Sequence, residues 1–387
     1  MSKLSDVFSP DGPLALGIPG YRVRAQQVEM AERIAAAINA NSVLVAEAGT
    51  GTGKTFAYLV PALLSGGKVI VSTGTKNLQD QLFTRDIPTV RKVLGSPVKV
   101  ALLKGRANYV CHYHLERSLA DGRFLSREDA AHAARISRFA KDTQTGDKSD
   151  CGEVPENSAV WTLVTSSREN CLGQDCPNNK ECFVLAARRE ALAADLVVVN
   201  HHLFFADVML RDEGTAELLP ACNTVIFDEA HQLPETASLF FGDNISTAQV
   251  IDLTRDVRTE GLTSARDCLD LPILCGVVEK AAKDLRLTLP VEAARFSLAQ
   301  LEERMGFDNA VVGLSRELEL LLALLQTQAQ RSEGLENCWR RAGELLAQLQ
   351  RWQKGADADF VRWGETYTLS LQLNATPLVI AKIMQKQ

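Results

Sequence analysis

The segment AGTGTGKT, residues 48–55, decides the fold, because its glycines and its Gly-Lys-Thr ending are typical of a phosphate-binding loop. Ala48 departs from the pattern, which has a glycine there. Glycines let backbone N–H groups turn towards phosphates, and the following helix points its positive end at the same anion. We predict that Lys54 bridges the outer phosphates and that the Thr55 hydroxyl holds Mg²⁺. An ordinary glycine-rich turn is the alternative, which the flanking strand and helix patterns disfavour.

Apolar runs on both sides of this loop alternate with helical patterns. Val43-Leu44-Val45 is predicted to be a buried strand that enters the loop, and a helix is predicted from about Lys54. Residues 21–40 have helical spacing of apolar side chains. Four further buried strands are predicted at residues 69–72, 98–103, 196–199 and 224–227. Strands that alternate with helices indicate an α/β fold with a mostly parallel sheet.

The last of these strands ends in an acidic box, Asp228-Glu229-Ala230-His231. A carboxylate at a strand's C-terminal end can reach a magnesium shell, so we predict this role for Asp228. Glu229 is predicted to orient and deprotonate the attacking water. His231 is a candidate to sense the γ-phosphate, although a lone histidine is more often a structural hydrogen-bonder. The alternative for the two acids is a solvated surface turn, which the upstream phosphate loop disfavours.

Five of the nine cysteines lie in an irregular, partly polar stretch from about residue 105 to 185. Cys171, Cys176 and Cys182 share one loop, and Cys111 precedes them after a long gap. Four thiolates suit a 4Fe–4S cluster, whereas zinc sites usually have cysteine pairs two to four residues apart. Zinc stays open as an alternative, and Cys151 is a rival for one ligand position. The other four cysteines are predicted to be buried thiols.

The totals exclude some classes of protein. The chain has 387 residues and a formal net charge of -6, which suggests two or three domains and does not rule out a local basic groove for nucleic acid. The sequence contains no run of about 18 apolar residues, so no membrane span is predicted. The N-terminus does not resemble a secretory signal. We expect a cytoplasmic protein whose odd cysteine count does not form a disulfide framework.

The second half of the chain is predicted to be largely helical, with leucine-rich segments at residues 314–328 and 335–350. Residues 367–373 then alternate apolar and polar side chains, which is typical of a strand. We expect that strand to rejoin the parallel sheet.

Together these motifs resemble the XPD/DinG-type superfamily 2 iron–sulfur DNA helicases. The loop at 48–55, the acidic box and the cysteine-bearing insertion carry the resemblance. Four other segments match: 21–30, 72–78 (STGTKNL), 104–111 (KGRANYVC) and 198–202 (VVNHH). The resemblance implies a RecA-like lobe at residues 1–104 and 186–240, an iron–sulfur insertion at 105–185, a helical arch at 241–360 and a return to the lobe at 361–387.

The resemblance also implies ATP-driven 5′-to-3′ unwinding on single-stranded or forked DNA in replication or repair, by a monomer that works with a replication or repair protein partner. Its cofactors would be ATP, Mg²⁺ and a 4Fe–4S cluster on Cys111, Cys171, Cys176 and Cys182. The implied nucleotide contacts are Gln27, Ala48, Gly49, Thr50, Gly51, Thr52, Gly53, Lys54 and Thr55. The implied DNA contacts are Thr73, Thr75, Lys76, Arg106 and Tyr109.

The family has a second RecA-like lobe after the arch, and the sequence ends at Gln387 before that lobe is expected. A non-catalytic module that binds DNA or a partner protein is therefore the second hypothesis. A zinc-bound P-loop ATPase unrelated to unwinding is a third.

Overall fold

A computed structural model describes residues 4–49, 51–122, 124, 126–212, 218–355 and 360–377. No helix in those ranges is both long and apolar enough to cross a membrane. The α-helices are α1 (Leu4–Val7), α2 (Pro13–Gly17), α3 (Ala25–Asn39), α4 (Lys54–Leu64), α5 (Lys76–Gln81), α6 (Ile87–Leu94), α7 (His112–Asp121), α8 (Arg127–Asp142), α9 (Trp161–Val164), α10 (Phe183–Ala193), α11 (His201–Asp212), α12 (Leu233–Phe241), α13 (Thr247–Ser264), α14 (Asp270–Leu287), α15 (Leu298–Glu302), α16 (Phe307–Gln328) and α17 (Glu333–Lys354). The strands are β1 (Val69–Thr73), β2 (Val100–Leu102), β3 (Leu196–Asn200), β4 (Thr224–Phe227), β5 (Asp243–Ser246), β6 (Ala294–Ser297), β7 (Phe360–Thr366) and β8 (Leu371–Pro377).

The chain divides into two compact units. The first unit comprises residues 1–105 and 184–236, and the second comprises residues 106–183 and 237–387. The predicted cysteine insertion and the predicted helical region therefore fall in the same unit.

The first unit contains a parallel sheet with strand order β2-β3-β1-β4. Strands β1 and β3, at its centre, are nearly continuous apolar runs because both of their faces are covered. Val69 and Val71 of β1 pack into one core with α3, α4 and α6, while Ile70 packs into the core on the opposite face. This sheet confirms the predicted α/β fold class, and strands β1 to β4 lie within the predicted runs or extend them by one residue.

One predicted strand of this sheet is wrong. Residues 43–49 have no regular secondary structure, and Val43 and Val45 are 93% and 92% exposed. A strand needs a neighbour to accept its backbone hydrogen bonds. Among the described residues β4 pairs only with β1, so Val43-Leu44-Val45 remains an extended, unpaired approach to the loop.

The second unit combines a helical bundle with an antiparallel sheet of order β5-β8-β7-β6. Its core is formed by the apolar faces of α13, α14, α16 and α17, with Leu318, Leu321 and Trp352 among the buried side chains. Capping boxes at Ser246 and Ser297 start α13 and α15.

The predicted return of the tail to the parallel sheet is also wrong. Strand β8 pairs with β5 and β7, so residues 371–377 belong to the second sheet. Period-two alternation identifies a strand with one buried face, and it does not identify the sheet that supplies the neighbours. Residues 378–387 of the predicted return segment lie outside the described residues.

Candidate nucleotide site and cysteine cluster

The predicted phosphate loop stands directly before α4, as the sequence requires. Gly51 and Gly53 have φ angles of +79° and +83°, a region that favours glycine because a Cβ is strained there. Gly53 also lacks room for a side chain, because an added Cβ would lie 2.1 Å from Gln27 Nε2. The Thr52 hydroxyl donates to the Gly49 carbonyl oxygen at 2.8 Å and tightens the turn. Thr50, also a predicted nucleotide contact, lies outside the described residues.

Gln27 supports this loop from α3. Its side chain is 1% exposed and donates from Nε2 to the Gly53 carbonyl oxygen at 2.9 Å. The Tyr21 hydroxyl donates to Gln27 Oε1 at 3.2 Å. Both ends of the Gln27 amide therefore have protein partners. In this structure Gln27 contacts the backbone of the phosphate loop.

The acidic box lies next to the phosphate loop. Lys54 Nζ and Glu229 Oε1 are 3.2 Å apart, and each side chain is about 30% exposed (31% and 30%). Asp228 follows β4 directly, and its backbone N–H donates to the Ser72 carbonyl oxygen at 2.8 Å. The loop's ammonium group and the two carboxylates therefore share one cleft within a single compact unit.

Burial raises the pKa of Asp228, and the neighbouring Glu229 carboxylate raises it further, while Lys54 opposes both effects. A carboxylate in this setting is under-compensated. A divalent cation would supply the missing positive charge.

Tyr58 is a site residue that the sequence reasoning missed. Its hydroxyl donates to Asp228 Oδ2 at 3.3 Å and also lies within hydrogen-bonding reach of the Thr55 side chain. Burial raises the pKa of Tyr58, so the hydroxyl stays protonated. Its position four residues after Lys54 on α4, one helical turn away, was the available signal.

Glu229 and His231 complete the box with unusual geometry. Glu229 has a φ of +57°, which non-glycine residues rarely adopt and which is often found at functional sites. His231 Nδ1 is 3.5 Å from Glu229 Oε2, and the His231 side chain is 70% exposed. Both side chains therefore lie beyond the end of β4, where the backbone at Glu229 has this unusual conformation.

The predicted DNA contacts in the first unit separate into two groups. Thr75 and Lys76 are exposed at the start of α5, where Thr75 Oγ1 accepts the Leu78 N–H at 3.3 Å as a helix cap. Thr73 is fully buried, and its hydroxyl donates to the Thr75 carbonyl oxygen at 3.1 Å. Because its side chain is not accessible, we correct the predicted DNA contact at Thr73.

The four cysteines predicted as cluster ligands lie together in the second unit. Burial raises the pKa of Cys111 to about 12, and interaction with the thiols of Cys171, Cys176 and Cys182 adds to the shift. The thiol of Cys151 is buried beside Glu153 and Val154, and none of the other four cysteines is among the groups that shift its pKa. The structure thus groups Cys111 with the three loop cysteines and leaves Cys151 apart.

These cysteines lie in loops and next to short turns of helix. Cys111 precedes α7, and its N–H donates to the Val164 carbonyl oxygen at 2.9 Å. Cys176 and Cys182 each follow a short 3₁₀ turn. Among the described residues no three His, Cys, Asp or Glu side chains meet at the spacing that one metal ion requires. In a 4Fe–4S cluster each thiolate binds its own iron, so the sulfurs are spread more widely than around one ion.

Arg106 and Tyr109, which were also predicted to contact DNA, lie shortly before Cys111 in the second unit. Arg106 Nη1 donates to Cys171 Sγ at 2.9 Å. Tyr109 is 3% exposed, so its ring is not accessible for base stacking, and we correct that prediction.

Comparison with known proteins places these features in context. The profile of the DEAD/DEAH box helicase family matches residues 27–109. The chain is 41% identical over 381 residues to the ATP-dependent DNA helicase YoaA of Haemophilus influenzae, covering 98% of this chain and 60% of the relative. It is 42% identical over 378 residues to YoaA of Escherichia coli, covering 98% and 59%. It is 35% identical over 275 residues to the ATP-dependent helicase DinG of Mycobacterium tuberculosis, covering 65% and 40%.

These matches confirm the predicted resemblance to DEAD/DEAH box helicases of the DinG type. Within that class the similarity to YoaA extends along nearly the whole chain. The chain spans about 60% of the length of the YoaA relatives.

Proposed function

We propose that this chain is the nucleotide-hydrolysing part of an ATP-dependent DNA helicase that moves 5′ to 3′ on single-stranded or forked DNA. The observation that carries the proposal is the 3.2 Å pairing of Lys54 with Glu229, beside Asp228, at the N-terminus of α4. The names of the YoaA and DinG relatives support the substrate. A role in replication or repair, a cytoplasmic location and a monomeric state belong to the same proposal.

The chemistry follows from the positions of the side chains. The loop N–H groups at residues 48–53 and the positive end of α4 would bind the phosphates, with Lys54 on the outermost ones. Thr55 and Asp228 would hold Mg²⁺, which supplies charge neutralisation for phosphoryl transfer. Glu229, released from Lys54 when the triphosphate takes its place, would orient the attacking water. His231, exposed beside Glu229, would sense the state of the γ-phosphate.

Replacing Lys54 tests this proposal directly. In the protein as its gene encodes it, Lys54→Ala should lower DNA-stimulated ATP hydrolysis on the order of a thousandfold, because a cation aimed at the transferred phosphate is lost. Lys92→Ala, at the exposed end of α6, is the matched control and should hydrolyse ATP like the wild type. Normal unwinding by Lys54→Ala would contradict the proposal. Measurable DNA-stimulated turnover by residues 1–387 alone would eliminate the non-catalytic module.

We also propose that Cys111, Cys171, Cys176 and Cys182 bind a 4Fe–4S cluster. The grouping of these four thiols supports it, because each could supply one thiolate to the cluster. The cluster would cross-link an otherwise irregular chain and offset the entropy lost in ordering it. Anaerobically purified protein should be brown, absorb broadly near ~400 nm and contain about four irons per chain. A colourless, zinc-loaded protein would contradict it.

A further inference from the structure

His201 is a buried histidine that the proposed chemistry does not use. It is the first residue of α11, directly after β3, and is 1% exposed. Its Nδ1 lies 2.7 Å from the hydroxyl of Ser72, which is fully buried on the neighbouring strand β1. Strands β1 and β3 are paired through Ser72 and Val199, so His201 projects just beyond the end of that pairing.

The same histidine lies against the acidic box. Its ring centroid is 6.0 Å from that of Phe227, the last residue of β4. Burial lowers the pKa of His201, and the backbone of Asp228 and Glu229 opposes that shift, while His201 Nε2 is buried and makes no hydrogen bond within the described residues. His201 therefore lies at the ends of β1 and β4, next to Ser72 and Phe227.

Ser72 is hydrogen-bonded to both Asp228 and His201, through two different oxygens. Its carbonyl accepts the Asp228 N–H at 2.8 Å, and its hydroxyl bonds to His201. Two residues further on, Gly74 packs so closely against Gln232 that an added Cβ would lie 2.2 Å from Gln232 Oε1. The end of β1 thus contacts the acidic box at Asp228, and Gly74 beyond it contacts Gln232, the residue after the box.

The chain that follows β1 includes Thr75 and Lys76, the exposed residues predicted to contact single-stranded DNA. The Thr73 hydroxyl donates to the Thr75 carbonyl oxygen at 3.1 Å, so a displacement of this segment by DNA would pass through Thr73 to its neighbour Ser72. The displacement would then reach the carboxylates through two hydrogen bonds of Ser72, one from its hydroxyl to His201 and one from the Asp228 N–H to its carbonyl oxygen.

We propose that Ser72 and His201 form a positioning pair that transmits the binding of single-stranded DNA at the end of β1 to Asp228 and Glu229. Neither residue touches ATP or Mg²⁺ in this scheme, so both act through the acidic box. This inference rests on the proposed function. The competing explanation is that the pair only satisfies two buried polar groups in the core.

Ser72→Ala removes the hydroxyl with little change in volume. In the gene-encoded protein we expect kcat at saturating single-stranded DNA to fall about tenfold, the effect of one hydrogen bond. The KM for ATP and the ATPase rate without DNA should change less than about twofold, because the loop and Lys54 are untouched. Ser65→Ala, which loses a hydroxyl bonded to the Ala62 carbonyl at the end of α4, is the matched control and should keep full stimulation.

A double-mutant cycle separates positioning from core packing. His201→Phe and the double variant Ser72→Ala/His201→Phe are assayed at a temperature where circular dichroism shows each to be folded. If the two residues act as one unit, the double variant should lose no more DNA stimulation than Ser72→Ala alone. Independent, multiplicative losses, or full stimulation in Ser72→Ala, would overturn the inference. A wild type that hydrolyses ATP without any stimulation by DNA would instead overturn the proposed function and this inference with it.

Discussion

The nucleotide site and the cysteine cluster reach their geometry by different means. In the first unit Lys54, Asp228 and Glu229 are brought together by a helix N-terminus and a strand end, and they contact one another without any ligand. In the second unit the four cysteines sit on loops and 3₁₀ turns, and burial keeps the Cys111 thiol protonated. Secondary structure positions the side chains of the first site, whereas the cysteines of the second lie on irregular chain that the proposed cluster would order.

Removing one cluster ligand should show the largest difference between the two regions. Cys171→Ser is expected to lower the iron content from about four per chain to near zero, because a cluster with three protein ligands is readily lost. Residues 106–183 should then become sensitive to limited proteolysis, while nucleotide binding in the first unit persists. Iron analysis and mass spectrometry of the fragments measure both effects.

Cys151→Ser is the matched control for that experiment. Its thiol is buried near Glu153 and Val154 and is not grouped with the other four, so the iron content should stay at the wild-type level. If Cys151→Ser lost the iron and Cys171→Ser kept it, the assignment of the ligands would be wrong.

Stability of the second unit should also depend on buried charge. Arg341 is 5% exposed, and its Nη1 donates to Asp256 Oδ2 at 2.6 Å between α17 and α13. Arg341→Ala leaves the Asp256 carboxylate without that partner and should lower the free energy of unfolding by about 3 kcal/mol in chemical denaturation.

Arg340, which precedes Arg341 in the sequence, provides the control for this loss of unfolding free energy. Arg340 pairs with Glu344 at 3.0 Å on the surface, where their side chains are 53% and 50% exposed. Arg340→Ala should therefore change the free energy of unfolding by less than about 1 kcal/mol. Equal losses in the two variants would show that burial does not govern these pairs.

The smallest expected effect sharpens the description of the nucleotide site. Tyr58→Phe removes only the hydroxyl that donates to Asp228. We expect kcat for ATP hydrolysis to fall up to about tenfold, because Asp228 loses one of the groups that orient it towards the metal. The Mg²⁺ concentration for half-maximal rate should rise in parallel. A variant with unchanged kcat and unchanged Mg²⁺ dependence would remove Tyr58 from the site.

The sequence was most informative where one short segment contains both the element and its chemistry. The loop at 48–55 and the box at 228–231 each combine a strand or helix end with the reactive side chain, so their meeting followed from the parallel-sheet pattern. Val43–Val45 and residues 371–377 were harder, because an apolar run or an alternation does not specify its neighbouring strand. Tyr109 and Thr73 were misassigned for a related reason, since burial depends on segments distant in the sequence.

The left-handed backbone at Glu229 has a consequence for how this position can vary. A φ of +57° costs a side-chain-bearing residue about 1 kcal/mol relative to glycine. Selection for thermal stability alone would favour Glu229→Gly, which relaxes the backbone and removes the carboxylate that we propose orients the attacking water. The glutamate therefore marks a place where the chain gives up stability to aim one functional group.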